Sequence, residues 1–251
     1  MGSPENFSLA ELSSAFGDIG ARLVGLTEPA SVMQSLVDMA VAQIPGAEYA
    51  GITVGRTSQS FATVASTDDI VLRTDAIQYE LGSGPCVDAI LEQTIFNAGD
   101  LRSDARWPEF GRRAVEMTGI TSMLSMRLYL EADESVIAGM NTYSHKPMAF
   151  DEVSETIATL LATHGALAVA NATAREKARN LMTALESSRE IGMAIGILMA
   201  LHKVTQEQAF NILRLASQHT HRKVSDLAGT VVETGTLPDI PVRRNNEGEP
   251  G

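Results

Sequence analysis

The chain has 251 residues, enough for one large domain or two smaller ones with packed cores. Its composition, 44% hydrophobic and 20% charged, is that of a soluble globular protein. No apolar run approaches the roughly 20 residues that span a bilayer, and the start, MGSPENFSLAELSS, lacks a signal-peptide pattern. A single cysteine, Cys86, excludes an intrachain disulfide framework. We therefore expect a cytoplasmic protein with no membrane partner.

The net charge of −12 at pH 7 is unevenly distributed along the chain. Residues 1–170 hold 9 Lys and Arg against 22 Asp and Glu, which gives −13. Residues 171–251 hold 10 against 9, which gives +1. Only the C-terminal part is therefore suited to a polyanionic partner. A charge of +1 is weak for nucleic-acid binding unless two chains combine their basic surfaces.

Helical and strand patterns alternate in the first 150 residues. Three- and four-residue spacing of apolar side chains indicates helices, and short runs between turn residues indicate strands. The clearest strand is Leu124–Leu130, in which every second residue is apolar. In chain order, the predicted elements are helices over 7–25 and 31–44, strands over 49–54 and 61–66, helices over 70–81, 86–92 and 108–119, strands over 124–130 and 136–144, and a long helix that opens at 150.

Three short helices are predicted within residues 181–237. Thr205, three residues before Gln208, forms a capping-box pattern that begins the second of them, and Gly235 is placed to end the third. No helix this short is stable alone, so their apolar stripes are expected to bury against one another or against a partner. The stripes are Leu181, Leu185, Ile191, Ile195, Leu198 and Met199 in the first helix, Phe210, Leu213 and Ala216 in the second, and Val224, Leu227, Ala228, Val231 and Val232 in the third.

These residues resemble the ANTAR domain, a small helical output module of bacterial regulators that binds RNA and acts as a transcription antiterminator. The resemblance rests on Ser188-Arg189, on IGMAIGILM (191–199), on QAFNILRLAS (208–217) and on Arg222-Lys223. Many family members have Lys at the centre of the first helix, where this chain has Ile195. We expect Ile195 to pack against protein and assign it no role in RNA binding.

The order of elements in residues 28–170 resembles a GAF domain, an antiparallel sheet flanked by helices that is widely used as a small-molecule sensor. The resemblance rests on LGSGPCVDAI (81–90), GDLRSDARWPEF (99–110) and HKPMAFDE (145–152). GAF followed by ANTAR is a known pairing. Together they imply an α+β protein with a long connecting helix or coiled coil. Its expected parts are an N-terminal helix (1–27), a GAF-like sensor domain (28–170), a coiled-coil continuation with the three-helix ANTAR domain (171–237) and a disordered tail (238–251).

A heptad pattern runs through the predicted long helix. No proline occurs between Phe150 and Met199, and the pattern stays in phase across the proposed domain boundary. This favours a parallel coiled-coil homodimer, in which Asn171 is a polar position that fixes the register. The alternative is a helix that packs on its own sheet and then bends. The predicted seam residues are Ile157, Leu160, His164, Leu167, Asn171, Leu181 and Leu185.

The ANTAR resemblance also implies a set of RNA-binding residues. Cationic side chains contact phosphates or stack on the bases of an opened loop, and polar side chains add hydrogen bonds. On composition alone these residues make an ordinary solvated surface. The resemblance favours RNA binding, most strongly for Arg222 and Lys223. The candidates are Arg189, Lys203, Arg214, Gln218, His221, Arg222 and Lys223.

Cys86 and Trp107 are the candidate residues of a sensor pocket. Cys86 lies where a helix is predicted to begin, a position that lowers a thiol pKa, although the simpler interpretation is a small buried core residue. Trp107 either lines a pocket or belongs to the core. No cofactor or metal is predicted, because His202, His219 and His221 lack the usual spacing of metal ligands.

The sequence therefore predicts a non-enzymatic bacterial regulator. A GAF-like sensor, with a small-molecule effector as a further partner, controls an ANTAR domain that binds RNA stem-loops as a homodimer. Two alternatives stay open. Three small helices with basic residues also suit a helix-turn-helix DNA-binding regulator. The near-neutral charge of residues 171–251 also suits a ligand or redox sensor that acts through protein contacts only.

Overall fold

The computed structural model describes residues 17, 20–23, 25–55, 61–92, 94–128 and 137–238. Three predicted segments lie wholly or largely outside these residues. They are the helix over 7–25, the polar turn over 131–134 between the last two strands, and the C-terminal tail over 238–251. The chain divides into two compact units, residues 1–176 and 177–251. Within the described residues the elements are α1 (Pro29–Gln43), β1 (Tyr49–Gly55), β2 (Phe61–Ser66), α2 (Asp69–Leu81), α3 (Pro85–Glu92), β3 (Ile95–Ala98), α4 (Pro108–Thr118), β4 (Ser122–Leu128), β5 (Ile137–Ser144), α5 (Glu152–His202), α6 (Gln206–Thr220) and α7 (Val224–Thr234).

Apart from the helix over 7–25, the predicted helices and strands of the first unit are confirmed within a few residues, and their ends have local causes. The Asp68 carboxylate accepts a hydrogen bond from the Ile70 N–H at 2.8 Å and so caps α2. Gly82 and Gly119 end α2 and α4 with φ of 64° and 75°, a left-handed conformation that favours glycine. One strand, β3, was not predicted. Its four residues, IFNA, are too few to carry a periodic pattern.

The five strands form one antiparallel sheet in the order β2-β1-β5-β4-β3. In its middle, Asn141 of β5 faces Gly51 of β1 on one side and Ser125 of β4 on the other. Helices cover both faces, so Ser125, on the polar side of the predicted strand, is also buried. The period-two pattern therefore identified the strand but did not mark a solvated face.

Two apolar clusters pack against the sheet. The first joins the sheet to α1 and α5, and the second lies under α2 and α4 on the other face. The first includes Leu36, Ile52, Leu124, Met140, Ile157 and Leu161, and the second includes Val71, Ile77, Trp107, Phe110 and Met123.

Helix α5 belongs to the first unit in its early turns. By length and composition it is apolar enough to cross a membrane, although no uninterrupted apolar run was found in the sequence. Ala158 and Leu161 are fully buried, and 44% of its most apolar 18-residue window is buried. This burial is that of a core helix, because its apolar side packs on the sheet.

The second unit packs the end of α5 against α6 and α7. The predicted capping box is confirmed: the Gln208 N–H donates to Thr205 Oγ1 at 3.3 Å, and the Thr205 N–H donates to Gln208 Oε1 at 3.0 Å. Ile195 packs against the core, as expected. Phe210 does not: it is 43% exposed. The core consists of Ala194, Leu198, Ala209, Leu213, Ala216, Leu227, Ala228 and Val231.

Candidate functional site

A group of polar side chains lies between the sheet and helices α2 and α3, and we call it the polar core cluster. Its members are joined by hydrogen bonds around the carboxylate of Asp75. The Tyr143 O–H donates to Asp75 Oδ1 at 2.6 Å, and the Thr63 O–H donates to Asp75 Oδ2 at 2.7 Å. The cluster consists of Thr53, Thr63, Asp75, Gln78, Tyr79, Cys86, Asn141 and Tyr143.

Asp75 is fully buried, and within the described part of the chain no cation pairs with it. Burial raises the pKa of its carboxyl to about 6, against the opposing effect of the hydrogen bonds from Tyr143 and Thr63. The first unit therefore holds an interior group whose charge changes close to neutral pH.

Cys86 begins α3 inside the same cluster. Its N–H donates to Gln78 Oε1 at 2.8 Å, its thiol donates to Thr53 Oγ1 at 3.3 Å, and Asn141 Nδ2 donates to its sulfur at 3.0 Å. Burial, together with the charge of Asp75, raises the pKa of the thiol to about 12. Desolvation outweighs the helix N-terminus here, so Cys86 is a protonated interior thiol at neutral pH and not an activated nucleophile.

Two polar atoms of the sheet lie next to this cluster without a partner. Asn141 Oδ1 and Ser125 Oγ are buried, and neither atom has a hydrogen-bond partner among the described residues. The two residues face each other across β5 and β4. They are potential hydrogen-bonding groups for a small polar molecule.

Trp107 lies in the apolar cluster of the same face. Its indole N–H donates to Asp88 Oδ2 of α3 at 2.5 Å, and its ring packs edge-on against Phe96 at 5.2 Å. The Arg106 guanidinium lies 4.4 Å from the ring centroid. Trp107 is thus enclosed core that ties α3 to the segment before α4.

A cavity of about 510 Å³ lies on the other face of the sheet, between β3, β4 and α5. Apolar side chains of Ile95, Met126, Ala162, Ala166 and Leu167 form much of its lining. Neither Cys86 nor Trp107 lines it.

Among the described residues of the second unit, the basic side chains are exposed, and three of them are widely spaced. Lys203 follows the end of α5, Arg214 lies in the middle of α6, and Lys223 precedes α7. With about 1.5 Å of rise per residue, the 15-residue α6 separates its two ends by roughly 22 Å. No acidic residue occurs between Glu207 and Asp226, so this stretch carries three formal positive charges.

Arg222 is held within the protein. Its guanidinium donates to Thr230 Oγ1 at 3.2 Å and to the Asp226 carbonyl at 3.4 Å, and its own carbonyl accepts from Ser217 Oγ at 2.6 Å. These bonds fix the turn between α6 and α7. In the described residues no ion pair engages Arg189 or Lys223.

Comparison with protein families matches this architecture in both parts. Residues 27–170, more than half of the chain, match the GAF domain. The chain belongs to the GAF domain family. Residues 179–232 match the ANTAR domain. The protein is thus a GAF–ANTAR regulator, with a sensor domain followed by an output domain, and both suspected families are confirmed. Comparison with curated proteins gives no significant match.

Solved structures with a similar fold include three from proteins of different function. One is the GAF domain of a phosphoenolpyruvate-protein phosphotransferase from Coxiella burnetii (TM-score 0.51, 15% identity, 68% of this chain and 99% of that one). Another is free methionine-R-sulfoxide reductase from Neisseria meningitidis (0.50, 13%, 69% and 96%). The third is the chromophore-binding domain of a bacteriophytochrome from R. palustris (0.50, 12%, 70% and 64%). At these identities the similarity establishes the fold alone.

The predicted RNA-binding residues of the ANTAR domain come from different helices and turns. Arg189 lies in α5, 14 residues before Lys203, and Arg214 lies mid-helix in α6. Only the three residues from His221 to Lys223 are adjacent. Gln218 lies one helical turn beyond Arg214 on the same side of α6.

The predicted seam along α5 differs in exposure from one part to the next. Ile157 is 2% exposed and faces the GAF core, so its assignment to an intermolecular seam is wrong. Leu160 and His164 are half-buried, and Leu167 and Asn171 are exposed. Leu181 and Leu185, beyond the GAF domain, are 62% and 61% exposed.

Two residues lie elsewhere than the sequence pattern indicated. Asp75, at the centre of the polar core cluster, was not singled out, and Phe210, predicted in the apolar stripe of α6, is exposed. Asp75 follows Val71 by one helical turn, so a helical projection of α2 places it on the buried side. The buried side of α6 is formed by Ala209, Leu213 and Ala216, at four- and three-residue spacing. Phe210 therefore lies at the exposed edge of that side.

Proposed function

We propose that this GAF–ANTAR protein is a cytoplasmic, non-enzymatic transcription antitermination regulator. Its ANTAR domains bind and stabilise a stem-loop in nascent RNA, so that a competing terminator hairpin does not form. The observation that carries the proposal is the ANTAR match over residues 179–232, within which α6 and its following turn expose three cations and no acid occurs between Glu207 and Asp226. Such a surface suits the phosphates and unstacked bases of an RNA loop.

The charge of α7 favours RNA over the helix-turn-helix alternative. In a helix-turn-helix protein the second helix enters the DNA major groove and its first residues contact the bases. The equivalent helix here, α7, contains no Lys or Arg, and its exposed charged residues are Asp226 and Glu233. Both carboxylates would face the phosphates of a duplex, which is electrostatically unfavourable.

A homodimer would supply the charge that one chain lacks. Between Lys177 and Glu190 every residue of α5 except Ser187 is exposed, including Leu181, Met182 and Leu185 at 61% to 66%. Helices gain most of their stability from packing an apolar face, and grouped exposed apolar side chains mark interaction sites. We infer that a second copy covers this stripe and brings two basic surfaces into one assembly.

The sensor site is proposed at the polar core cluster, next to Cys86. The unpartnered Asn141 Oδ1 and Ser125 Oγ supply hydrogen-bonding groups for a small polar effector. Trp107 holds α3 through Asp88, so its role is to position this helix. A non-enzymatic role is supported by the raised pKa of the buried Cys86 thiol, which disfavours a nucleophilic thiolate.

RNA binding is tested with hairpins selected on the purified protein from a pool with a randomised loop. The double variant Lys203→Gln/Lys223→Gln, which leaves the structural Arg222 intact, is expected to bind the selected hairpin on the order of 10-fold or more weakly. Its slope of log affinity against log salt concentration should fall by roughly one for each side chain that contacts a phosphate. Filter binding at several salt concentrations measures both quantities.

The matched control removes the same charge from the GAF surface. Arg112→Gln/Arg113→Gln breaks ion pairs with Glu109, Glu116 and Glu80 and should leave RNA affinity unchanged. Equal loss in both double variants would show a non-specific charge effect. Equal binding of the hairpin and of duplex DNA, or no binding of either, would overturn the proposed function.

A further inference from the structure

Phe210 is placed unexpectedly for an aromatic residue. It is the sole Phe, Tyr or Trp among residues 177–251. The ANTAR core is built from alanines and aliphatic side chains, and a buried aromatic would contribute more apolar area than any of them. Yet Phe210 is 43% exposed and stands outside that core. In the part of the chain that the structure describes, no other aromatic ring packs on it.

The neighbours of Phe210 along α6 are polar or cationic. Arg214 and Gln218 follow at intervals of four residues, so the three side chains share one side of the helix. Both Arg214 and Gln218 are exposed, and Arg214 Nε donates to Asn211 Oδ1 at 3.3 Å. The nearest acidic residue is Glu207, one turn towards the N-terminus, and none follows until Asp226.

We propose that Phe210, Arg214 and Gln218 form a stacking platform for an unpaired base of the bound RNA, an inference that rests on the RNA-binding function proposed above. The phenyl ring stacks on the face of the base, the Arg214 guanidinium contacts the adjoining phosphate, and the Gln218 amide reads the edge of the base. Single-stranded bases are commonly held in this way, by an aromatic face beside cationic groups.

Charge distinguishes an RNA base from a protein partner as the occupant. An aromatic residue that anchors a protein interface usually lies at the centre of a desolvated apolar patch. Phe210 is instead followed by a cation and an amide on a stretch that carries three formal positive charges and no acid. This surface is complementary to a polyanion with flat apolar bases.

The test separates aromatic stacking from apolar bulk. The probe is the hairpin selected above, with 2-aminopurine placed at single loop positions. Phe210→Leu keeps an apolar side chain but removes the aromatic face, and should weaken binding by about 5- to 150-fold. Phe210→Trp keeps an aromatic face and should retain the wild-type affinity. The matched control is Leu215→Ala, which removes a similarly exposed side chain, 47% exposed, from a different side of α6.

Fluorescence identifies the contact directly. One 2-aminopurine position should be quenched on binding to the wild type and to Phe210→Trp, and should stay unquenched with Phe210→Leu. Wild-type affinity and quenching in Phe210→Leu would overturn the platform while leaving RNA binding intact. Dissociation of the dimer by Phe210→Leu without a change in quenching at saturation would assign the ring to a protein contact and overturn the platform. Failure of the wild type to bind any selected hairpin would overturn the RNA-binding function itself and the platform with it.

Discussion

The two parts of α5 use the same kind of residues in opposite ways. In the GAF domain the helix buries Ile157, Leu161 and Val169 against the sheet, and its small residues allow close packing. From Lys177 to Glu190 the helix continues with Leu181, Met182 and Leu185 exposed. A heptad count alone cannot tell these parts apart, because both present an apolar residue every three or four positions.

The difference shows which apolar side chains of α5 are buried within a single chain and which are left exposed. Where α5 covers the sheet, Ile157, Leu161 and Val169 are buried within the domain, and a second chain cannot reach them. Where the sheet ends, the stripe remains available. The early turns should therefore determine the stability of the folded GAF domain, and the later turns should determine association.

The largest expected effect is on dimer association and comes from a substitution in the exposed part of α5. Leu185→Ala should weaken the dimer, because each subunit loses burial of roughly 1–3 kcal/mol and the contact occurs twice by symmetry. The dissociation constant should rise by about 30- to 20,000-fold. Sedimentation velocity over a range of protein concentrations measures this change.

Leu161→Ala is the matched control in the same helix. It creates a cavity in the GAF core and should lower the free energy of unfolding by about 2–5 kcal/mol without changing the dissociation constant of the dimer. If Leu185→Ala leaves association unchanged, the exposed stripe is not the dimer contact, and the comparison drawn above fails.

A smaller effect, on the pH dependence of the unfolding free energy, should follow from the buried carboxyl of Asp75. Its pKa of about 6 in the folded protein lies above the ordinary aspartate value of 3.8, so the folded state binds the proton more tightly than the unfolded state does. The contribution of Asp75 to stability therefore falls as pH rises from about 4 to 6, and is constant above that range. Asp75→Asn removes this dependence, so its unfolding free energy relative to wild type should be about 2 kcal/mol higher at pH 7.5 than at pH 4.5.

Urea denaturation at the two pH values measures the effect. Asp69→Asn, an exposed site in the same helix, is the control and should show a much smaller pH-dependent difference from wild type. A difference between wild type and Asp75→Asn that is equal at both pH values would show that the carboxyl titrates alike in the folded and unfolded states.

Most of the fold could be predicted from the sequence because its signals are local. The caps at Thr205 and Gly235 and the runs of β1 and β4 each depend on a few neighbouring residues, and all were found in place. The four-residue β3 was missed because a strand at the sheet edge is defined by its pairing with β4 and not by its own pattern.

The site was less predictable because it depends on contacts distant in sequence. The Asp75 carboxylate meets Thr63 and Tyr143, which are 12 and 68 residues away. The position of Cys86 at a helix start suggested a lowered thiol pKa, whereas burial by the sheet raises it. Arg222, one of the two strongest RNA candidates in the sequence, is engaged by Thr230 of the next helix.

The smallest effect tests whether α6 depends on its cap, and so whether the ANTAR helices are fixed locally as well as by packing. Thr205→Ala removes the acceptor of the Gln208 N–H while leaving the reciprocal bond from the Thr205 N–H to Gln208 Oε1. It should destabilise the ANTAR helices by about 1 kcal/mol, because an exposed N-cap is partly replaced by water. Thermal unfolding followed by circular dichroism measures this loss, and Thr205→Ser, which keeps the hydroxyl, should be close to wild type. Equal losses in the two variants would assign the effect to the lost methyl group, and α6 would then be held in place by its packing through Ala209 and Leu213 alone.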